Sequence, residues 1–394
     1  MERQASICLK VLFASRGLQI FGTSVMVTFS GLVGAQLAPT TTLSTFPMTV
    51  MLVSMGVTTV PASFCIARLG GRKAFGWAGM LGAAGATIAA LSAWLGSFVG
   101  FCVGSALLGA YQASAQYYRY AAADVVQSKD KPHAVSSVLA GGVTGAIGGP
   151  FISLWSQEWF APGLYIGPFF ALALLLLINA MVLFRVQALA RVSRRSPTGN
   201  GRSMSLLLRD PAFLRAASLA AGAYAVMSHV MTAAPLAIVA CGHGAGVASS
   251  GIQWHLVAMF APSFATGFLQ QRFGLKSLAS AGCLGLLASL ALFATGNGIF
   301  NFVVGLILLG VGWNFLYFSG TMLVVSAMPP EDQVKAQAAT ELAVLGSAAV
   351  TSGLAGVVFA AAGWMFVLAS ALVMLAPLAA IVLREQAGIL LSKA

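Results

Sequence analysis

Charge is scarce in this sequence. Only 8% of its 394 residues are Asp, Glu, Lys or Arg, against about 25% in a soluble domain, which excludes a water-soluble enzyme or binding module. Cysteine is sparse too. Cys8, Cys65, Cys102, Cys241 and Cys283 are scattered, odd in number and form no C-x-x-C pair, which argues against a disulfide scaffold or a zinc ribbon. Most of them read as small hydrophobes. Strict apolar–polar alternation is missing, so a membrane barrel is excluded. No A-x-A-like exit follows the first apolar run, and that run is long enough to persist as a helix, so no cleaved signal is expected.

Apolar length is what the chain has in abundance. Hydrophobic residues make up 59% and the mean hydropathy is +0.90. Runs of about 20 residues, each long enough to cross a bilayer as a helix, lie near 17–38, 44–66, 75–96, 98–119, 134–157, 163–185, 212–240, 247–271, 277–296, 301–326, 336–360 and 363–384. Because lipid offers the backbone no hydrogen-bond partner, helices are the form these runs must take. The expectation is an all-α membrane protein of twelve transmembrane helices.

The formal net charge of +12 is a topology signal rather than a nucleic-acid signal. With the N-terminus inside, all 21 Lys and Arg fall on one side, among them Arg68, Arg72, Lys73, Lys129, Lys131, Arg272, Lys276 and Lys335. The opposite loops (39–43, 97, 158–162, 241–246, 297–300, 361–362) contain none. This positive-inside asymmetry places both termini in the cytoplasm and suggests contact with anionic lipid.

The longest polar stretch, 187–211, is rich in Arg, Ser, Gly and Pro and reads as a solvated cytoplasmic linker. It divides the chain into 1–186, 187–211 and 212–394. The flanking halves repeat each other: IARLGGRKAF in the first matches LQQRFGLKSL in the second, with Arg68 aligned to Arg272 and Gly70 to Gly274 at an offset of 204. PHAVSSVLAGG and VKAQAATELAVLG open the fifth and eleventh runs near the same offset. Two six-helix halves joined by a basic linker resemble the major facilitator superfamily over essentially the whole chain. The R-x-G-x-R-K turn from Arg68 to Lys73 is similar to that superfamily's loop between helices two and three, with one departure. The acid usually preceding the first Arg is Ala67 here, so Arg68 and Arg72 read as anchors of the helix end. The resemblance implies two pseudosymmetric six-helix bundles and a non-enzymatic transporter, expected as a monomer, that rocks around a midplane site.

Cargo is read from what the spans contain. Intramembrane Asp or Glu marks proton coupling and cation binding, yet all nine acids fall in loops, tails or helix ends. Asp124 and Glu341 come nearest to a span interior. Gln112, Gln116, Asn314 and Tyr317 offer a thin polar lining, and no Lys or Arg waits inside for an anion. Sulfur and imidazole are present instead. GAYAVMSHVMTAAP, 222–235, holds Met227 and Met231, and WHLVAM, 254–259, holds His255 and Met259 at the same i,i+4 spacing, which puts each pair on one helix face. At 1.5 Å per residue, Met231 and His255 lie roughly 12–14 Å deep, and Met227 and Met259 roughly 18–20 Å. His229 points about 200° away from the methionine face. Thioether with imidazole selects Cu(I) over oxygen-seeking cations. Methionine pairs alone are ordinary core fillers, and 15 methionines produce about 0.6 such pairs by chance.

M-x-x-x-M followed by H-x-x-x-M resembles the CcoA-type copper importers. That resemblance implies Met227, Met231, His255 and Met259 as copper ligands, with Cu(I) as transported cargo and no prosthetic group. It further implies uptake across the bacterial inner membrane for cytochrome oxidase assembly, with periplasmic or cytoplasmic copper chaperones as partners. Met51 and Met55, at the offset of 204 from His255 and Met259, are a candidate secondary relay. Gly141, Gly145 and Gly149 form a close-packing stripe expected to face the eighth helix. Two other functions compete. One is import of a small organic compound such as a flavin, with Tyr224, Trp254, Trp313, Tyr317 and Phe318 available to stack a flat ring. The other is a membrane copper donor that does not transport. The topology reading has a direct check: alkaline phosphatase fused after Gly298 is expected to be active and after Gly199 inactive. The opposite pattern would invert the orientation.

Overall fold

The structure, a computed structural model, describes residues 2–127, 130–160, 165–192, 203–329 and 332–392. Every regular element among them is a helix. Ten helical stretches among these residues are long and apolar enough to cross a membrane. The difference from twelve runs arises because two stretches each hold a reversal, and because one run is divided in two. Helix contacts separate two compact units, 1–195 and 196–394.

The first unit contains α1 Glu2–Leu37, α2 Phe46–Leu95, α3 Phe98–Ala115, α4 Tyr118–Asp124, α5 Lys131–Ser156 and α6 Ile166–Arg185. The second and third apolar runs are the two arms of α2, separated at Gly70 with φ 72° and ψ 155°. Only glycine occupies that region without strain, because a Cβ meets the neighbouring carbonyl. α1 and α5 touch backbone to backbone. A Cβ added to Gly141 would stand 2.2 Å from Phe13 O, and one added to Gly145 would stand 2.0 Å from Gly17 O. Gly149 meets the Phe21 side chain. The glycine stripe is therefore filled by α1, correcting the expectation that the eighth helix occupies it.

The second unit contains α7 Met204–Leu207, α8 Pro211–Ala240, α9 Ala245–Phe260, α10 Ser263–Ala294, α11 Ile299–Ala327, α12 Gln333–Ala362 and α13 Trp364–Ser392. α8 starts sharply because Asp210 caps it, accepting from Ala212 N at 2.9 Å and Phe213 N at 3.3 Å, with Pro211 in the first turn. The eighth run is split into α9 and the first arm of α10 at Ala261–Pro262, where proline supplies no N–H. α10 then reverses at Gly274, φ 80° and ψ 161°.

The aligned glycines 70 and 274 thus adopt one conformation in both units. The repeat extends to a helix crossing. A Cβ on Gly109 of α3 would lie 2.2 Å from Met51 O, and one on Gly310 of α11 would lie 2.7 Å from His255 O. Met51 and His255, aligned by sequence offset, occupy matching crossing points.

The polar stretch is folded at both ends. Residues Gln187–Arg191 form a 3-10 helix whose buried Leu189, with Val192, packs beside the α2 reversal. Gly71 N donates to Val192 O at 3.3 Å, and Arg72 Nη1 donates to Gln187 Oε1 at 2.7 Å. At the other end Leu207 joins a cluster with Phe213, Ala216, Val324 and Met328. Arg194, Arg195 and Arg202 lie outside the described residues.

The two reversals generate a paired prediction. A Cβ at Gly274 finds no atom within 4 Å, so Gly274→Ala is expected to cost only the backbone strain, about 1–3 kcal/mol. Gly70→Ala adds a contact at 2.9 Å with Ala190 O and should lower the melting temperature of the purified protein further. Equal melting temperatures for the two variants would contradict this.

Candidate functional site

The four residues expected as ligands are all interior. Met227, Met231 and Met259 are 1%, 5% and 4% exposed, and His255 is 0%. The His255 ring is turned to α11, where Nδ1 donates to Leu306 O at 2.8 Å. That bond leaves the lone pair on Nε2, which is buried without a hydrogen-bond partner among the described residues. His229 is committed at both nitrogens. Nδ1 donates to Thr351 O at 2.9 Å and Nε2 accepts from Ser370 Oγ at 2.8 Å, tying α8 to α12 and α13. Met51 is buried at the α3 crossing and Met55 is half-buried. Of the loop arginines, Arg68 is exposed, Arg72 is bound to Gln187, and Arg272 lies 5.6 Å over the Phe273 ring. All five cysteines are free thiols.

A tighter constellation is aromatic. Trp313 and Tyr317, one turn apart on α11, stack with centroids 5.0 Å apart at 9°. Tyr224 of α8 stands edge-on to both, 5.2 Å from Trp313 and 5.6 Å from Tyr317. Trp313 is 5% exposed and its Nε1–H has no acceptor among the described residues. Tyr317 Oη donates to Glu341 Oε1 of α12 at 3.3 Å. The sequence grouped five aromatics here. The structure assembles Tyr224, Trp313 and Tyr317, while Trp254 is 51% exposed on α9. Edge-on and offset pairs of this kind hold rings firmly in place, so the cluster presents a rigid polarisable wall.

Asn314, beside Trp313, does a different task from the cavity lining expected of it. Its Nδ2 donates to Met259 O at 2.7 Å and Ser263 Oγ at 2.8 Å, and its Oδ1 accepts from Thr266 Oγ1 at 3.3 Å. It stitches the break at Pro262, supplying a donor where the helix ladder is interrupted.

The first unit holds a polar network of which the sequence reading named only Gln112 and Gln116. Arg16 Nη1 donates to Gln19 Oε1 at 2.5 Å and to Gln116 Oε1 at 3.5 Å. Gln112 Nε2 donates to Gln19 O at 3.1 Å and Thr23 Oγ1 at 3.2 Å, and Ser15 Oγ donates to Asn179 Oδ1 at 2.8 Å. Arg16 sits one residue before the first apolar run and looked like its flank. The available signal was its i,i+3 spacing to Gln19, since α1 continues unbroken from Glu2.

With this geometry established, comparison with known proteins narrows the family. No family model matches the chain. The riboflavin transporter RfnT of Brucella anthropi is 35% identical over 358 residues, 90% of this chain and 89% of its own. The uncharacterised MFS-type transporter YdeG of Bacillus subtilis is 27% identical over 92% of this chain and 89% of its own. Among solved structures, a bacterial homologue of the human lysosomal transporter Spinster superposes with a TM-score of 0.75 over 97% of both chains at 12% identity, a likeness of fold.

These findings overturn the expectation of copper import, and with it the supply of cytochrome oxidase and the copper chaperones. A relative matching nine-tenths of the chain is named for riboflavin, not for a metal. The physical reason the pattern misled is that thioethers and a carbonyl-bonded imidazole are also ordinary occupants of a tightly packed helical interior. The packing interpretation has a check. Met227→Leu with Met231→Leu, nearly volume-conserving, should shift stability by less than about 1.5 kcal/mol each. His229→Leu, which strips two buried hydrogen bonds, should cost about 1–3 kcal/mol per unsatisfied group. Thermal unfolding in detergent reads both, and a loss from the methionine pair well above that figure would contradict the packing interpretation.

Proposed function

We propose, since the chain belongs to the family of MFS-type transporters, that it takes up a flavin, riboflavin or a close analogue, across the bacterial inner membrane. The near full-length match to a riboflavin transporter carries this reading. The site chemistry supports it. Riboflavin is a flat, uncharged tricycle with a hydroxylated tail, and it asks for stacking surface and a few polar groups rather than a counter-charge. The second unit offers three fixed aromatic rings, Tyr224, Trp313 and Tyr317, with a hydroxyl and a carboxylate at their edge. Acids lie away from the middle of the spans, in keeping with a neutral cargo.

In this reading the ring system stacks on the exposed part of the aromatic wall. Alternating access of the kind used by this superfamily then moves the cargo, with both termini cytoplasmic and the monomer as the working unit. Proteoliposomes containing the purified chain should accumulate radiolabelled riboflavin saturably. Tyr317→Ala or Tyr224→Ala, which removes one of the two partly exposed rings, should raise the half-saturating concentration about tenfold, since stacking on one aromatic is worth about 1–3 kcal/mol. Absence of riboflavin flux from folded, reconstituted protein would sink the proposal.

A further inference from the structure

Glu341 is unusual for where it stands. It is the seventh residue of the membrane-spanning stretch Lys335–Ala362, about 9 Å along the helix from its start at 1.5 Å per residue. The other described acids occupy ends or loops: Asp124 closes its stretch, Asp210 is spent capping α8, and Glu2, Asp130, Glu158, Asp332 and Glu385 lie outside the spans. About two turns from the span's end, Glu341 is the described acid set deepest in a span, and a carboxylate drawn inward in this way marks a candidate functional position.

Its described hydrogen bond comes from Tyr317 Oη at 3.3 Å. A hydroxyl bound to a carboxylate ordinarily closes to about 2.5–2.7 Å, so this contact is loose. An ionised carboxylate accepts at about four positions, and the Glu341 side chain is exposed. Acceptor capacity therefore remains open at the edge of the Tyr317 ring, one member of the aromatic wall. The complementary feature of a flavin is its pyrimidine-dione edge, whose imide N–H is a single donor between two carbonyls. A ring stacked on Tyr317 brings its edge to the level of the Tyr317 hydroxyl, where Glu341 stands.

We infer that Glu341 is the residue that reads the flavin ring, accepting the imide N–H while Tyr317 orients the carboxylate. This rests on the flavin reading above. An aromatic wall with a carboxylate also suits an organic cation, and the test separates the two. In the proteoliposome assay, uptake of labelled riboflavin is challenged with unlabelled riboflavin, N3-methylriboflavin or tetraphenylphosphonium. The wild-type protein should bind the N3-methyl analogue about tenfold more weakly, the loss of one hydrogen bond to a charged group. In Glu341→Ala the two flavins should compete equally. Equal competition in the wild type overturns the inference while leaving flavin transport standing, and it does so even if the variant fails to insert. Stronger competition by the cation than by riboflavin overturns it as well. No riboflavin uptake at all overturns the flavin reading itself.

Discussion

Lipid gives a peptide group nothing to bond to, and the architecture follows from that constraint. Each span closes its own ladder as a helix, and each place where the ladder stops needs a local remedy. At Gly70 and Gly274 the remedy is conformational, a reversal at φ 72° and φ 80° that lets one helix end and the next begin without a loop. At Asp210 it is a cap. At Pro262 it is a borrowed amide from Asn314. Polar residues inside these units are therefore mostly bookkeepers of the backbone. The ones that are not, such as Glu341, stand out by having little to satisfy.

The architecture was legible because it is written in periods longer than any side chain. Twelve apolar runs and an offset of 204 between R-x-G motifs state the span number and the repeat, and the aligned glycines adopt matching dihedrals. What the runs hide is where a span is divided. The eighth reads as one stretch from 247 to 271, yet α9 stops at Phe260, because one proline outweighs the hydropathy around it. The glycine stripe of α5 announced a close neighbour, but a stripe carries no address. The partner, α1, is set by packing among all the helices of its unit.

The site was legible as a set of residue types and illegible as a choice among them. Met227, Met231, His255 and Met259 made a regular pattern, and regular patterns arise wherever two helix faces pack. The aromatics made no pattern in sequence, since Tyr224 stands 89 residues from Trp313 and 93 from Tyr317. Only the tertiary fold brings them within 6 Å of each other. Arg16 was hidden differently. A charge one residue outside an apolar run looks like a topology marker, and only its bonds to Gln19 and Gln116 reveal a place in a network. Fold and cargo are also separate questions in this superfamily, because one scaffold carries many chemistries.

The stitch at Pro262 has a mechanical side. A helix interrupted at a proline is a joint, softer than the arms it connects. Asn314 crosses that joint, gripping Met259 O on one arm and Ser263 Oγ on the other, so the joint cannot flex without straining one of those two bonds. Trp313 immediately precedes Asn314 on α11, and its ring is half of the stacked pair. Bending of the eighth span at this joint is thus geared to the aromatic wall through the Asn314 amide, as a strut transmits the angle of a hinge to the panel bolted beside it.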